Sequence, residues 1–295
     1  MPMDKIMDEV PSLKSQDPSN ADETLADSGF YWRERDGVKV LVSRKLEEAG
    51  FVNGFSTRLG GVSPFPDSSL NLAGFNEDTA KNIYENRRRF LAVFGGDMRL
   101  ACVWQVHGHA IKNVDRKEDI GDSNDYADAI VSDMEGVLAG VKTADCVPVL
   151  LGDPKTGAFA AIHAGWRGTV QSIVKKAVVR MVEVYGTDPK NVIAAIGPAA
   201  GRGNYQIGAD VIAAFAENFL GSERYFTSTR EGHALVDLHL ANRDQLIDSG
   251  VLNENISTAP FCTMARPDLF FSYRLEKKKY GKTGRLMSVI GRRAS

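Results

Sequence analysis

Three side chains, two histidines and one cysteine, each lie at the end of an apolar run. His107 follows the run 100–106, Cys146 precedes the run 147–151, and His163 follows the run 159–162. Imidazole and thiolate groups both bind Zn²⁺ well, and three protein ligands leave a fourth coordination position open. Because short apolar runs are typical of buried strands, the motifs predict three ligands at strand ends, and hence a candidate metal site.

The same residues allow other interpretations. Cys146 with His163 as its base would be the nucleophile of a thiol hydrolase, and a buried cysteine beside hydrogen-bonded core histidines would have no catalytic role. A protein that binds a ligand without turnover is a third hypothesis. Asp145, next to Cys146, is a partner that orients the ligands, a proton-transfer group or an N-cap. The chain has no CxxC pair of the kind seen in structural zinc sites, so spacing alone leaves these interpretations open.

A second set of residues favours an anionic substrate such as phosphate. Arg58 lies in the glycine-containing segment 55–63, where backbone amides and a guanidinium are expected to hold an anion. Arg167 and the glycine-rich loop 197–204 offer similar groups.

Composition limits the function classes. Lys and Arg number 36 against 38 Asp and Glu, so no basic excess indicates nucleic-acid binding. No apolar run approaches the roughly 20 residues of a transmembrane helix. Three widely spaced cysteines do not form a disulfide framework. We therefore expect a cytoplasmic protein that contacts neither nucleic acid nor membrane, as a monomer or weak homodimer.

Hydrophobic periodicity predicts an α+β (mixed α/β) fold in a single domain, with central mixed β-sheets flanked by helices. The strand 111–114 is expected to pair with 100–106, the segment 115–125 to be a charged loop, and 168–185 to be the longest helix. The predicted strands are 38–42, 51–57, 100–106, 111–114, 127–131, 136–141, 147–151, 158–162, 191–196, 256–259, 269–273 and 286–290, and the helices are 43–49, 79–94, 168–185, 208–219 and 238–249.

Taken together, the motifs resemble the YfiH-like family, also called the laccase-domain or multicopper polyphenol oxidase family, whose members include purine nucleoside phosphorylases. The resemblance covers residues 30 to 292, so we expect a flexible N-terminal extension over 1–28 and a YfiH-like catalytic domain over 29–295. The matching segments are 55–63, 69–72, 105–108, 128–129, 143–148, 163–168, 196–198, 262–263, 270–274 and 284–285.

The resemblance implies that His107, Cys146 and His163 bind Zn²⁺. It implies phosphorolysis of adenosine, inosine, guanosine or methylthioadenosine to the base and a pentose-1-phosphate, a transferase reaction, and it also attaches adenosine deamination, a hydrolase reaction, to the same site. Some bacterial relatives are instead described as peptidoglycan-editing factors, which makes a Cys146/His163 hydrolase of cell-wall precursors the alternative.

The resemblance also selects candidate site residues. Cys146, His163, Asp145 and Arg58 are expected to be catalytic, and the expected substrate-binding residues are Arg58, Ser63, Asn71 and Arg167.

The chain departs from the family pattern in two places. The loop 197–208 lacks the paired cysteines of the family and gains Arg202, and a basic insertion, Lys277 to Lys279, precedes Gly284. The copper centres of a laccase need many imidazoles, and five histidines cannot supply them. Zinc therefore suits the candidate ligands better than copper does.

Overall fold

The structure, a computed structural model, describes residues 25–65 and 67–294. Its strands are β1 (Phe30–Arg35), β2 (Val38–Ser43), β3 (Val52–Ser56), β4 (Arg99–Trp104), β5 (Ile111–Asn113), β6 (Gly121–Tyr126), β7 (Ala129–Ser132), β8 (Val137–Thr143), β9 (Val147–Gly152), β10 (Phe159–Ala164), β11 (Ile193–Ile196), β12 (Gln206–Gly208), β13 (Phe226–Arg230), β14 (His233–Val236), β15 (Ile256–Thr258) and β16 (Leu286–Arg292). Its helices are α1 (Arg44–Glu48), α2 (Ala80–Ala92), α3 (Trp166–Val170), α4 (Ile173–Tyr185), α5 (Ala209–Asn218), α6 (Leu238–Asp248) and α7 (Tyr273–Tyr280).

Two large mixed sheets form the centre of the fold. One has the strand order β1-β2-β3-β16-β8-β4-β6, and the other has the order β15-β11-β9-β10-β7-β5. Their inner faces share one apolar core, in which Val141 and Ile290 of the first sheet join Leu150 and Phe159 of the second. The third sheet, β12-β14-β13, is small.

Helices cover the outer faces of both large sheets. Ile173, Val174, Ala177 and Met181 of α4 are buried at helical spacing, and they belong to the core on the outer face of the six-stranded sheet, together with residues of α5 and α6. Phe90 of α2 packs against the seven-stranded sheet on its other side. The structure therefore confirms the predicted mixed α/β fold, with central sheets flanked by helices.

The central hairpin forms where the apolar runs predicted it. β9 and β10 pair antiparallel, and every residue of both strands is buried. Strands covered on both faces carry continuous apolar runs rather than alternating ones, which explains the composition of this hairpin.

Two predictions about the segment 111–125 were wrong. β5 pairs with β7 in the six-stranded sheet, whereas β4 belongs to the seven-stranded sheet. The charged segment 115–125 is not wholly a loop, because it contains most of β6, which pairs in parallel with β4 at the edge of its sheet. An edge strand of this kind forms through backbone hydrogen bonds and needs no apolar face, so periodicity does not reveal it.

Two predicted boundaries also needed correction. The predicted helix 168–185 is two helices, since α3 begins at Trp166 and Ser172 adopts a left-handed backbone with φ of 58° before α4. The segment 269–273 is not a strand. It is an irregular segment that leads into α7. The hydroxyl of Ser272 accepts a hydrogen bond from the backbone N–H of Leu275 and caps this helix.

The described chain begins at the core, because Leu25 is buried in the layer between the large sheets. Residues 1–24 lie outside the described residues, so the flexible extension over 1–28 stays a prediction. Among the helices of residues 25–65 and 67–294, none has both the length and the apolar character needed to span a bilayer.

The layer between the sheets should dominate stability. Phe159→Ala removes a fully buried ring from it, and we expect the free energy of unfolding to fall by about 3–5 kcal/mol in urea titrations. Val179→Ala, on the exposed side of α4, should change it by less than about 0.5 kcal/mol. Similar losses in the two variants would show that this layer is not the main core.

Candidate metal centre

The structure brings the three predicted ligands together. In the described part of the chain, one donor atom each from His107, Cys146 and His163 lies within 4.8 Å of the other two. The two imidazole rings meet edge to face, with their centroids 4.8 Å apart. The imidazole of His107 is exposed, Cys146 is half-buried and His163 is buried, so the group opens to solvent on one side.

His107 and Cys146 reach the site from connections that cross between the two large sheets. His107 lies between β4 of the seven-stranded sheet and β5 of the six-stranded sheet, and Cys146 lies between β8 and β9, which are divided between the sheets in the same way. His163 belongs to β10 itself. Two ligands thus lie beyond strand ends, as predicted, while His163 is the penultimate residue of its strand.

Asp128 is the buried carboxylate that orients both histidines. Its oxygens accept hydrogen bonds from the backbone N–H groups of Val106, His107 and Gly108 at 2.7–3.2 Å. Its Oδ1 also lies 2.7 Å from Nδ1 of His163, which donates the proton and leaves Nε2 free to bind a metal. The sequence had marked Asp128 only as part of a family motif, without a role.

The pKa of Asp128 reflects these partners. Burial alone would raise the pKa of the carboxyl group, but the hydrogen bond and charge of His163 and the backbone donors outweigh burial and lower it. Asp128 is therefore an anion that fixes the orientation of the His163 ring through Nδ1.

Cys146 ionises easily at this position. Burial would raise the pKa of its thiol, yet the charge of His163 and the hydrogen bonds of His107 and His163 lower it to about 6. For His163, burial would lower the pKa, but the neighbouring Cys146 thiolate and Asp128 raise it to about 9. A thiol that loses its proton near neutral pH suits both a metal ligand and a nucleophile.

Gly165 gives Cys146 and His107 room to meet. A Cβ atom at this position would lie 3.0 Å from Sγ of Cys146 and 3.2 Å from Cδ2 of His107. A larger residue here would therefore require Cys146 or His107 to shift. The glycine of the motif that follows His163 thus allows the close approach of these two side chains.

The donor set fits a metal ion. One thiolate and two imidazoles, with an orienting carboxylate behind His163, form a group that could hold a tetrahedral ion and leave a fourth position open.

Asp145 is held by the protein on both carboxylate oxygens. Oδ1 accepts from the Thr263 hydroxyl at 2.7 Å, and Oδ2 accepts from the Ser272 hydroxyl at 3.0 Å and from the Arg274 backbone N–H at 2.7 Å. Its backbone is left-handed, with φ of 84°. It is not an N-cap, because a strand follows it. These contacts favour a positioning role, in which Asp145 ties the segment 263–274 to the turn that carries Cys146.

Arg58 is neutralised inside the protein. Its Nη1 lies 2.8 Å from Oε1 of Glu276 and donates to the carbonyl oxygen of Pro267 at 2.7 Å, and its guanidinium lies over the ring of Phe271. Both partners of this ion pair are buried. One nitrogen, Nη2, is buried without a partner among the described residues.

The other residues of the predicted substrate loop are also used internally. Ser63 donates to Asp78 and accepts from the Asn86 amide, and Asn71 Oδ1 accepts from the backbone N–H of Arg285 at 2.8 Å. Both side chains are buried.

The expectation that backbone amides of these loops hold an anion was wrong for most of them. The N–H groups of residues 58, 59, 61, 62 and 63 already donate within the protein. Those of residues 197, 200, 201 and 204 do so as well. The loops satisfy their own donors because they pack against the core.

Arg167 stays exposed at the rim of the site. Its guanidinium lies 4.3 Å from the ring centroid of Trp166, the residue after Gly165. Trp166 in turn lines a cleft of about 380 Å³. Of the four predicted substrate-binding residues, Arg167 alone is therefore free to meet a ligand with its whole side chain.

The cleft contains residues that the sequence analysis did not select. Its lining residues include Trp166, Tyr205, Gln206, Arg230, His233 and Arg274. Tyr205 lies in the glycine-rich loop and Arg274 in the aromatic motif 270–274, so sequence motifs could have identified both as site residues. No motif could have identified Arg230, because its segment carries none.

Tyr205 lines the cleft and lies within the electrostatic influence of Cys146. Burial, and then the charge of Cys146, raise the pKa of its hydroxyl to about 12. The phenol therefore keeps its proton at neutral pH and presents an O–H donor.

The chain is similar to a set of related bacterial proteins. Residues 52–293 match the family model described as multi-copper polyphenol oxidoreductase laccase. A protein of Deinococcus radiodurans named purine nucleoside phosphorylase is 37% identical over 238 residues, which cover 80% of this chain and 87% of that protein. Escherichia coli YfiH, also named purine nucleoside phosphorylase, is 34% identical over 85% of this chain and 98% of its own length.

A solved structure has the same fold. The crystal structure of YlmD from Geobacillus stearothermophilus superposes with a TM-score of 0.81 at 32% identity, covering 90% of this chain and 99% of that chain.

Asp128→Asn tests the orienting role of the buried carboxylate. The variant should bind zinc about 10- to 100-fold more weakly. The amide lacks the negative charge that stabilises the ring of His163, and only one of its two terminal atoms can accept a hydrogen bond. Competition with a chromogenic zinc chelator measures the affinity, and Asp133→Asn, an exposed change nearby in the chain, is the control. Equal affinities in the two variants would contradict the role.

Proposed function

Since the chain belongs to the multi-copper polyphenol oxidoreductase laccase family, we propose that it is a zinc-dependent purine nucleoside phosphorylase. The observation that carries the proposal is the His107–Cys146–His163 group beside a cleft with aromatic walls, in a chain whose relatives bear that name. The proposed reaction converts adenosine, inosine, guanosine or methylthioadenosine and phosphate into the purine base and a pentose-1-phosphate.

Zinc is the metal that the donor set favours. Bound by His107, Cys146 and His163, it would supply a Lewis acid near Gly165, the residue that precedes Trp166 of the cleft. Asp128 keeps His163 in the tautomer that can bind it, and Gly165 keeps Cys146 and His107 in contact distance.

The cleft offers the purine two kinds of contact. Trp166 and Tyr205 present half-buried aromatic side chains, which suit a flat heterocycle. The O–H of Tyr205 remains protonated and is placed to donate a hydrogen bond to a purine that gains negative charge as its bond to the sugar breaks.

In the proposal, four of the predicted catalytic and substrate-binding residues have structural roles. Arg58 holds the segment 267–276 through Glu276, Asp145 holds the same region through Ser272 and Arg274, and Ser63 and Asn71 fix the loop around Arg58. Cys146, His163 and Arg167 keep the roles expected from the sequence. Cytoplasmic location and a monomeric or weakly dimeric state remain predictions.

Adenosine deamination is included as a slower second reaction of the site. It needs a group that transfers a proton to and from water, and Asp145 was the acidic candidate nearest to a ligand in the sequence. Because both of its oxygens already accept hydrogen bonds, we expect deamination to be weak beside phosphorolysis.

A hydrolase of peptidoglycan precursors is the second candidate, and one observation favours it. Asp128, His163 and Cys146 form a chain in which the carboxylate orients the imidazole and the imidazole lowers the pKa of the thiol. This is the arrangement of a cysteine nucleophile with its base. The nucleophile requires no metal, which separates the two candidates.

Adenosine with and without phosphate tests the proposal directly. Zinc-loaded protein should release adenine and ribose-1-phosphate only when phosphate is present, with at most a small yield of inosine, as measured by chromatography. Inosine as the main product without phosphate would establish deamination, and no product in either reaction would refute the purine activity.

Removal of the thiol and of the metal should act on the same step. Cys146→Ser is expected to lower kcat/KM for phosphorolysis by about 100-fold or more, and chelation should abolish turnover until zinc is restored. Cys262→Ser is the matched control, because Cys262 is also a half-buried free cysteine. Chelated protein that still cleaves a muropeptide, with loss of that activity in Cys146→Ser, would favour the hydrolase.

A further inference from the structure

The cleft beside Trp166 is lined by more basic than acidic side chains. Arg230 and Arg274 both line it, with His233 close to Arg230. Several other arginines have a carboxylate partner, as Arg58 has Glu276 and Arg87 has Asp122. Within residues 25–65 and 67–294, neither Arg230 nor Arg274 lies within 4.0 Å of a carboxylate oxygen. Asp210 is the acidic residue of the lining.

Arg274 is held firmly at the inner end of this cleft. Its backbone N–H donates to Asp145, next to the ligand Cys146, and its guanidinium lies 4.7 Å from the ring centroid of Tyr205. Nη1 donates to the backbone carbonyl of Gln206, which leaves the remaining guanidinium donors for a ligand. A stacked guanidinium with free donors is preorganised to bind an oxyanion.

Arg230 approaches from a different part of the fold. It ends β13, where the pairing with β14 shifts register after Ser228. A bulge of this kind reorients the side chains that follow it. The guanidinium of Arg230 lies 3.2 Å from Nε2 of His233, and both side chains reach the cleft.

We propose that Arg274 and Arg230 bind a phosphate group in this cleft, either as inorganic phosphate or as the phosphate of a nucleotide. The proposal deepens the proposed function and rests on it for the inorganic source. It replaces Arg58 as the phosphate-binding arginine, because the charge of Arg58 is already balanced by the buried carboxylate of Glu276. In phosphorolysis the group would be held next to Tyr205.

Kinetics with separate substrate titrations test the inorganic source. In Arg274→Gln and Arg230→Gln, the KM for phosphate should rise about 10- to 100-fold, because charged hydrogen bonds to the anion are lost, while the KM for adenosine changes by less than about threefold. Arg274→Lys should recover part of the loss. Arg99→Gln removes one exposed charge at the opposite end of β4 from His107, and it should match the wild type.

Calorimetric binding of inorganic phosphate and of adenosine 5′-monophosphate to the zinc-loaded protein gives a result that does not depend on turnover. Phosphate affinity that falls in both glutamine variants supports the inorganic source, and a fall confined to the nucleotide supports a nucleotide ligand. The proposal is overturned if neither anion binds the wild type, or if both affinities are unchanged in the variants.

The two proposals fail in different ways. Anion binding that depends on both arginines in a protein without phosphorolysis would refute the proposed function and leave the phosphate site standing. Phosphorolysis with an unchanged KM for phosphate, and with unchanged affinities for both anions in the two variants, would refute the phosphate site and leave the proposed function standing.

Discussion

The metal centre depends on one buried carboxylate. Asp128 has no exposed surface, and it accepts from three successive backbone N–H groups at residues 106–108 and from the ring of His163. An unpartnered charge at this depth would be strongly destabilising, so the carboxylate is stable only when the loop and the ring are both in place. One side chain thus couples the positions of two ligands, and the folding of the core determines the geometry of the site.

Two of the three ligands, His107 and Cys146, are carried by strained turns. Both connections that carry His107 and Cys146 cross between the large sheets, and each contains a left-handed residue that is not glycine, His107 with φ of 60° and Asp145 with φ of 84°. Such a backbone costs on the order of 1–3 kcal/mol per residue. Hydrogen bonds of the Asp128 and Asp145 carboxylates offset this cost, so both acidic residues stabilise the turns that carry the ligands.

Charge balance separates two kinds of arginine around the centre. Arg58 is paired with buried Glu276 and stabilises the segment that carries Arg274. Arg274 and Arg230 line the cleft, and no carboxylate oxygen of residues 25–65 and 67–294 lies within 4.0 Å of either guanidinium. The same residue type therefore serves as an internal support in one place and as a ligand-binding group in another. Whether a carboxylate lies close to the guanidinium, rather than which residues flank the arginine in the sequence, decides which role the arginine has.

The sequence by itself predicted the candidate ligands and the interior of the fold. His107, Cys146 and His163 stand out by residue type at the ends of apolar runs. The fully apolar strands β9 and β10 and the amphipathic segment of α4 follow from periodicity, because such patterns report which side chains avoid water. Only the tertiary structure determined which strands pair and which distant side chains meet. β5 and β6 have backbone partners that no side-chain pattern encodes, and Arg58 meets Glu276 from a distant part of the chain. The cleft exists only where Trp166, Tyr205, Arg230 and Arg274 converge, since local patterns tell which face is buried and not what covers it.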